Sequence, residues 1–409
     1  MESILNIIKR FIPRSLFKAL QPIYHYKLAL LGALIYRFPS RHINVVMITG
    51  TKGKTTTAEM VNAVLEAAGN KTALAGTLRF KIGEKSRRNL YKMTMPGRFF
   101  VQKFLRDAVN AGCDYAILEM TSEAAVQYRH RFIDFDALIF LNISPEHIES
   151  HGGFENYLAA KLSLAQAMSD SGKPHKVIVS NIDDAHGQQF LNVPGIEKHP
   201  FSLKNIESHS ETQAGVRFIY KGVQFESVMP GLFSIYNMLA VITYAASQHI
   251  SLDIAARGLK NISLIRGRVE KVTLDKNNPK FDRQKFTVIV DYAHTADSLE
   301  QLYGAFKDSP KICVLGNTGG GRDTWKRPEM ARVADRHAKH IILTNEDPYD
   351  EDPKEIIRDM LPGIVSTPHE IIMDRRQAIH RAIRLAQKGD AVIITGKGTD
   401  PSIRGPRGE

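Results

Sequence analysis

Apolar positions along this chain fall into two successive runs in which short strands alternate with longer helices. Val45, Val46, Met47 and Ile48 form an unbroken apolar stretch, the pattern of a strand buried on both faces. Behind it, Met60, Val61, Val64, Leu65 and Ala68 recur at helical spacing. Further buried-type strands are predicted at 72–75, 115–119, 137–142 and 177–181, with helices over 99–111, 158–168 and 235–248. From about 271 the pattern restarts. Strands are predicted at 287–291, 312–315, 341–344 and 391–395, and helices from 296, across 329–338 and over 375–387. Strands separated by helices imply an α/β protein with mostly parallel sheets. The expected fold is a central P-loop domain with a mostly parallel, doubly wound sheet, over 43–270, followed by a Rossmann-like α/β domain over 271–409. A basic amphipathic segment, 1–42, precedes both. Ligands of doubly wound sheets collect at the carboxyl ends of the strands, which directs attention to 49–55, 119–122 and 142–147.

The first of these ends reads Thr49-Gly50-Thr51-Lys52-Gly53-Lys54-Thr55-Thr56. A glycine turn between strand and helix points backbone N–H groups and a helix N-terminus at one spot, and Lys54 adds a positive charge. The hydroxyl of Thr55 stands where it can reach a phosphate-bound Mg²⁺. The usual P-loop pattern has a glycine where this chain has Ile48, so the loop is a shortened variant. An ordinary tight turn is the plain alternative. Gly-x-x-Gly-Lys-Thr-Thr between a strand and a helix favours a nucleoside triphosphate.

The chain has 409 residues, more than one ordinary core needs, with 43% hydrophobic and 24% charged residues, a globular composition. The net charge of +12 admits nucleic acid, a membrane surface or anionic small substrates. No arginine-rich run interleaves with aromatics, so no nucleic-acid partner is expected. Before Glu59 the only acidic residue is Glu2, whereas Lys9, Arg10, Arg14, Lys18, Lys27, Arg37 and Arg41 are basic. Among the first of these lie Ile4, Leu5, Ile7, Ile8, Phe11, Ile12, Leu16 and Phe17. This segment is either a helix lying on an anionic membrane surface or an arm packed on the next domain. Its longest apolar run, 28–36, is too short to span a bilayer. Cys113 and Cys313 match no metal spacing and fit a reducing cytosol. The expected setting is the cytoplasm, with peripheral contact at the inner face of a membrane as an option.

Glu119 ends a buried strand, where a carboxylate either holds Mg²⁺ with Thr55 or is a plain surface acid. His147 follows another strand end, and a lone histidine is more often structural than a ligand. Lys161 opens an apolar helix. Buried lysines tend to lose their proton, and a neutral amine can take up CO₂ as a metal-binding carbamate. An ion-paired lysine is the simpler reading.

Taken together, these motifs resemble the Mur ligases, ATP-dependent amide ligases of peptidoglycan synthesis. Within that family the chain is most similar to the members adding the third residue of the stem peptide. The resemblance runs from about 44 to 401. Gly50-Thr51-Lys52-Gly53-Lys54-Thr55 matches the family's ATP loop. The segment from Glu119 through Thr121 and Ser122 to Gln127 and Arg129 resembles the one that holds Mg²⁺ and the acceptor. His147 and Lys161 match the second Mg²⁺ ligand and the carbamylated lysine. Asn237, Arg268, Asp291 and His294 look like the adenosine-side residues, and Thr94 like a contact to the sugar-peptide. The resemblance implies catalysis by Lys54, Glu119, His147 and Lys161, and metal ligation by Thr55, Glu119, His147 and Lys161. It implies ATP, two Mg²⁺ ions, a muropeptide-like acceptor and an amino acid, acted on by a monomer.

The chain departs from the family in three places. The 42 residues before the loop strand cannot form the domain that holds the uridine nucleotide, so a lipid-linked or other acceptor is an alternative. Asp347, Pro348 and Tyr349 stand where diaminopimelate-adding members end the motif in arginine. Gly396 to Asp400 is altered from Gly-Lys-Gly-His-Glu. Folylpolyglutamate- or cyanophycin-type chemistry and a non-catalytic ATP-binding scaffold are the remaining alternatives. The Gly/Pro/Arg-rich tail to Glu409 suggests that a covering last helix is missing.

Overall fold

The computed structural model describes residues 14–409 apart from 92, 147, 279, 280, 407 and 409. His147 and the apolar positions of 1–13 therefore lie outside the described residues. The chain divides into two compact units. One holds residues up to Ile143, Tyr157–Phe201 and Ala240–Ile250. The other holds Ser144–Asn156, Ser202–Leu239 and the residues from Ser251 onward. The second unit thus gathers in segments that the sequence pattern assigns to the central region.

The first unit is built on Asn44–Thr49 (β1), Thr72–Ala75 (β2), Arg79–Ile82 (β3), Lys85–Arg88 (β4), Tyr115–Glu119 (β5), Ala137–Phe140 (β6), Val177–Asn181 (β7) and Glu197–Phe201 (β8). They form one sheet in the order β4-β3-β2-β5-β1-β6-β7-β8. Every neighbouring pair from β2 to β8 is parallel. Apart from exposed Asn44 and half-buried Tyr115 at their starts, the central strands are buried on both faces, which is why they read as unbroken apolar runs rather than alternating ones. A polar hairpin, β3–β4, closes one edge antiparallel, and its exposed Lys-Ser-Arg-Arg strand carried no apolar signal. β1 lies between β5 and β6, with Ile48 level with both Glu119 and Ile139. The chain leaves β1 toward one side and later returns to its other side, so the carboxyl ends of β1, β5 and β6 meet at the switch point.

Helix Arg14–Ile35 belongs to the same unit and packs on helix Arg98–Asn110 through Ala29, Gly32 and Ala33. Arg106 Nε secures its end by donating to Tyr36 O at 3.1 Å. The arm is therefore packed along Ala29, Gly32 and Ala33, while Ile23, Tyr24, Tyr26, Leu31, Leu34 and Ile35 remain exposed on it. Among the described residues, no helix is long and apolar enough to cross a membrane.

In the second unit Ser208–Thr212 (β9), Gly215–Tyr220 (β10) and Val223–Ser227 (β11) make an antiparallel sheet. The sequence pattern missed it because β9 is polar and wholly exposed. Glu270–Lys271 (β12), Thr287–Val290 (β13), Lys311–Leu315 (β14), Ala338–Leu343 (β15), His369–Ile371 (β16) and Ala391–Ile394 (β17) form a sheet in the order β12-β13-β17-β14-β15-β16. It is parallel except for β12, with a buried apolar cluster on each face. Cys113 and Cys313 are both buried and unbridged.

Candidate active site

Gly53, at φ 82°, stands at the cap of helix Lys54–Ala67 without any side-chain cap bond. A left-handed residue is tolerated there because glycine has no Cβ, and the helix start is left facing the loop. The loop is fastened from the neighbouring strand. Thr51 N donates to Asn142 O at 2.9 Å, and Lys52 N donates to Asn142 Oδ1 at 2.9 Å. Lys54 folds back, donating from Nζ to Gly50 O at 2.8 Å and Thr51 O at 3.0 Å. Thr55 and Thr56 are buried in the first turn.

Glu119 is 1% exposed at the end of β5. Thr55 donates to its Oε2 at 2.9 Å, Thr77 Oγ1 to Oε2 at 3.0 Å, and Thr77 N to Oε1 at 2.8 Å. It is not a plain surface acid. Gly76 admits this carboxylate, since a Cβ there would lie 2.2 Å from Oε1. Thr77 also meets Thr94 Oγ1 at 3.0 Å, which ties Thr94 to the same group. A hydroxyl and a carboxylate beside a phosphate loop are the hard oxygen donors that Mg²⁺ takes, and Mg²⁺ keeps much of its water when bound. Among the described residues no three histidine, cysteine or acidic side chains cluster as a ready-made metal cage.

Lys161, 1% exposed, donates from Nζ to Gly50 O at 2.8 Å and stands 4.9 Å from the Tyr157 ring centroid. Tyr157 OH meets Thr51 Oγ1 at 2.8 Å. Helix Phe154–Ser169 thus reaches the loop through two side chains one turn apart. Thr121 caps the short helix Ser122–Val126 by accepting from Ala124 N at 3.1 Å, and Ser122 is buried. Gln127 Oε1 accepts from Arg129 Nη2 at 2.7 Å.

The second unit assembles the other motif residues. Both oxygens of Asp291 are engaged by backbone, from Val269 N at 2.7 Å and Ala293 N at 2.6 Å. His294 Nδ1 meets Tyr292 O at 2.8 Å, and its Nε2 lies 2.7 Å from Glu146 Oε1. Arg268 stacks 4.5 Å from the Tyr292 ring centroid, and Asn237 is buried on helix Leu232–Ser247. Lys397 Nζ joins two of the motif acids, Asp347 Oδ2 at 2.6 Å and Asp400 Oδ2 at 3.3 Å. Pro348 O packs against Gly319, and Tyr349, at φ 53°, lies under the Arg322 guanidinium. Glu346, just before Asp347, is buried at the centre of this group. Thr318 donates to its Oε1 at 2.9 Å, and Oε2 has no hydrogen-bond partner among the described residues. A Cβ on Gly396 would lie 2.0 Å from that oxygen. Burial pushes the Glu346 carboxyl up, and the buried Arg375 guanidinium pulls it back in part.

A shortened phosphate loop, a carboxylate hydrogen-bonded to the loop's threonine and a second α/β unit define an ATP-using enzyme of the ligase type. The chain matches the Mur ligase middle domain over 48–245 and the Mur ligase glutamate ligase domain over 268–398. It is 37% identical to a UDP-N-acetylmuramoyl-L-alanyl-D-glutamate--2,6-diaminopimelate ligase from Syntrophomonas wolfei, over 91% of this chain and 76% of that protein. A UDP-N-acetylmuramyl-tripeptide synthetase from Roseiflexus is 34% identical over 92% and 78% of the two chains. The fold also matches Mycobacterium tuberculosis folylpolyglutamate synthase complexed with ADP, at a TM-score of 0.71 and 16% identity, covering 90% of this chain and 91% of that one. The chain belongs to the Mur ligase family. It is an ATP-dependent ligase.

Proposed function

We propose that this enzyme joins an amino acid to a carboxylate of a muramoyl-peptide acceptor through an acyl phosphate. The observation that carries the proposal is the Thr55–Glu119 contact at the foot of the ATP loop. The acceptor class is supported by the relatives, two of which are named for ligation onto muramoyl peptides. An acceptor carboxylate oxygen attacks the γ-phosphorus and ADP leaves. The amine of the amino acid then attacks the acyl carbon and loses a proton, and phosphate departs with the carboxylate oxygen. Lys54 and the N-terminus of helix Lys54–Ala67 stabilise charge on the transferring phosphoryl group. Among the described residues, Thr55 and Glu119 would hold Mg²⁺, which would supply further neutralisation of phosphate charge. His147 and a carbamylated Lys161 are assigned to a second ion. The reading is supported by the burial of Lys161 beside the loop, with its amine at Gly50 O.

Thr94, Thr121, Ser122, Gln127 and Arg129 are assigned to the acceptor. The assignment is supported by the hydrogen-bonded link from Glu119 through Thr77 to Thr94. Asn237, Arg268, Asp291 and His294 are assigned to the nucleoside end of ATP, and Asp347, Pro348, Tyr349, Gly396 and Asp400 to the amino acid. The exposed apolar side chains of helix Arg14–Ile35, in a stretch with basic Lys27, Arg37 and Arg41, favour peripheral contact with an anionic membrane. That contact suits an acceptor carried on a lipid.

The test is release of phosphate from Mg·ATP with nucleotide-linked and lipid-linked muramoyl-dipeptide acceptors and each amino acid in turn. Release that needs both an acceptor and one amino acid supports the reading. Release that ignores either one contradicts it.

A further inference from the structure

Beside the loop of Thr94, two guanidinium groups converge on a single residue, and an imidazole meets one of them. Gln127 accepts from Arg98 Nε through its backbone oxygen at 2.8 Å, and from Arg129 Nη2 through its side chain at 2.7 Å. Arg129 Nη1 also donates to Met95 O, and Arg98 Nη2 donates to His25 Nδ1 on the arm helix. Between Gln127 and Arg129 the backbone of Tyr128 takes φ 56°, a conformation that costs a bulky non-glycine residue energy and clusters at functional sites. Tyr26 of the arm packs on this turn, edge-on to Tyr128 at 6.4 Å and Phe132 at 5.0 Å.

The charge on this cluster is not neutralised by an ion pair. Among the described residues neither Arg98 nor Arg129 is ion-paired to a carboxylate. Burial, reinforced by the neighbouring Arg129, brings the Arg98 guanidinium down to about 10, with Tyr24 acting the other way. Burial also lowers Arg129, against a pull from exposed Glu123. Burial, then Arg98 and Arg129, brings His25 down to about 4. Its imidazole is therefore neutral near pH 7 and accepts a hydrogen bond from Arg98. Like charges held together without a counterion are disfavoured, and a bound oxyanion would reverse that sign. Each guanidinium has about five N–H donors, so both keep donors beyond the bonds described. All three side chains are partly exposed. A run of hydrogen bonds leads from Glu119 through Thr77 to Thr94, and Met95 beside it accepts from Arg129.

We propose that Arg98 and Arg129, positioned by His25 and Gln127, form an oxyanion site that takes a phosphate or diphosphate carried by the acceptor. The proposal rests on the ligase reading for the word acceptor, but the site itself can be tested without turnover. The arm helix is then part of the substrate site as well as a packing element. The same chemistry serves a nucleoside diphosphate and a lipid diphosphate.

The experiment is calorimetric titration of the full chain with inorganic pyrophosphate, its ATP loop first saturated with Mg·ADP. One binding event is expected, weakened at least tenfold in Arg98→Gln, less in Arg98→Lys, and weakened in His25→Ala. Unchanged affinity in Arg98→Gln, or equal binding of glutarate, would overturn the phosphate site. Melting curves show whether a variant is folded, and recovery of binding in Arg98→Lys separates lost charge from lost structure. Uridine diphosphate in solution and a polyprenyl diphosphate in phosphatidylcholine vesicles then identify the carrier, the expected one being weakened by Arg98→Gln. Pyrophosphate binding without acceptor-dependent phosphate release would leave this site standing and remove the ligase reading. The converse would do the opposite.

Discussion

The hydroxyl of Thr55 donates to Oε2 of Glu119 at 2.9 Å, although the two residues stand 64 positions apart in the chain. Parallel pairing of β1 with β5 makes this possible, because the register sets Ile48 beside Glu119 and brings the two strand ends level. The glycine loop and the carboxylate that we propose holds its cation are thus positioned by one strand pair.

Gly76 tests that arrangement with little cost to the fold. A Cβ there would lie 2.2 Å from Glu119 Oε1, and the carboxylate is the part able to move. Gly76→Ala is expected to lower stability by about 1–3 kcal/mol, as overpacking does. Phosphate release should fall by roughly 100-fold, the scale of losing a few kcal/mol of charge stabilisation. A variant that melts as expected but turns over normally would show that Glu119 does not need this position.

Much of this was legible beforehand, and the reason is burial. β6 and β7 are buried on every residue, and β1 and β5 on every residue after their first, so their apolar runs survive in the sequence as strands, and the loop follows directly from β1. Elements with one wet face fared worse. β4 and β9 are entirely exposed and carry no apolar period. Thr77, Asn142, Tyr157 and Glu346 were not singled out, because a threonine, asparagine, tyrosine or glutamate acquires its meaning only from partners distant in sequence. Asp291 was assigned to a ligand by resemblance, and the structure adds that it holds the backbone of Val269 and Ala293.

Lys161 carries a chemical prediction. If its amine takes up CO₂, enzyme prepared in ¹³C-bicarbonate should show a carbamate carbon resonance that is absent from Lys161→Arg. Activity should fall in CO₂-depleted buffer and return when bicarbonate is added. An enzyme fully active without CO₂ would remove the carbamate from the mechanism.

His130 makes stability depend on pH. It is buried, neither ring nitrogen has a hydrogen-bond partner among the described residues, and burial, aided by Arg131, lowers it to about 3. The unfolded chain therefore binds a proton at this position at higher pH than the folded one. Its contribution is complete above about 6.5 and is lost progressively as pH falls toward 3, at up to about 1.4 kcal/mol per pH unit. His25 acts in the same direction. Denaturant midpoints measured from pH 7 to 4.5 should fall less steeply in His130→Leu than in the unaltered protein. Parallel curves would contradict the assignment.

The most direct measurement follows one oxygen atom. An acceptor labelled with ¹⁸O in its reacting carboxylate is incubated with Mg·ATP and the amino acid, and the released phosphate is weighed by mass spectrometry. Transfer through an acyl phosphate predicts one ¹⁸O in each phosphate formed, in step with amide product. Phosphate without the label would mean that water, not the acceptor, attacks ATP, and the ligase mechanism proposed here would be wrong.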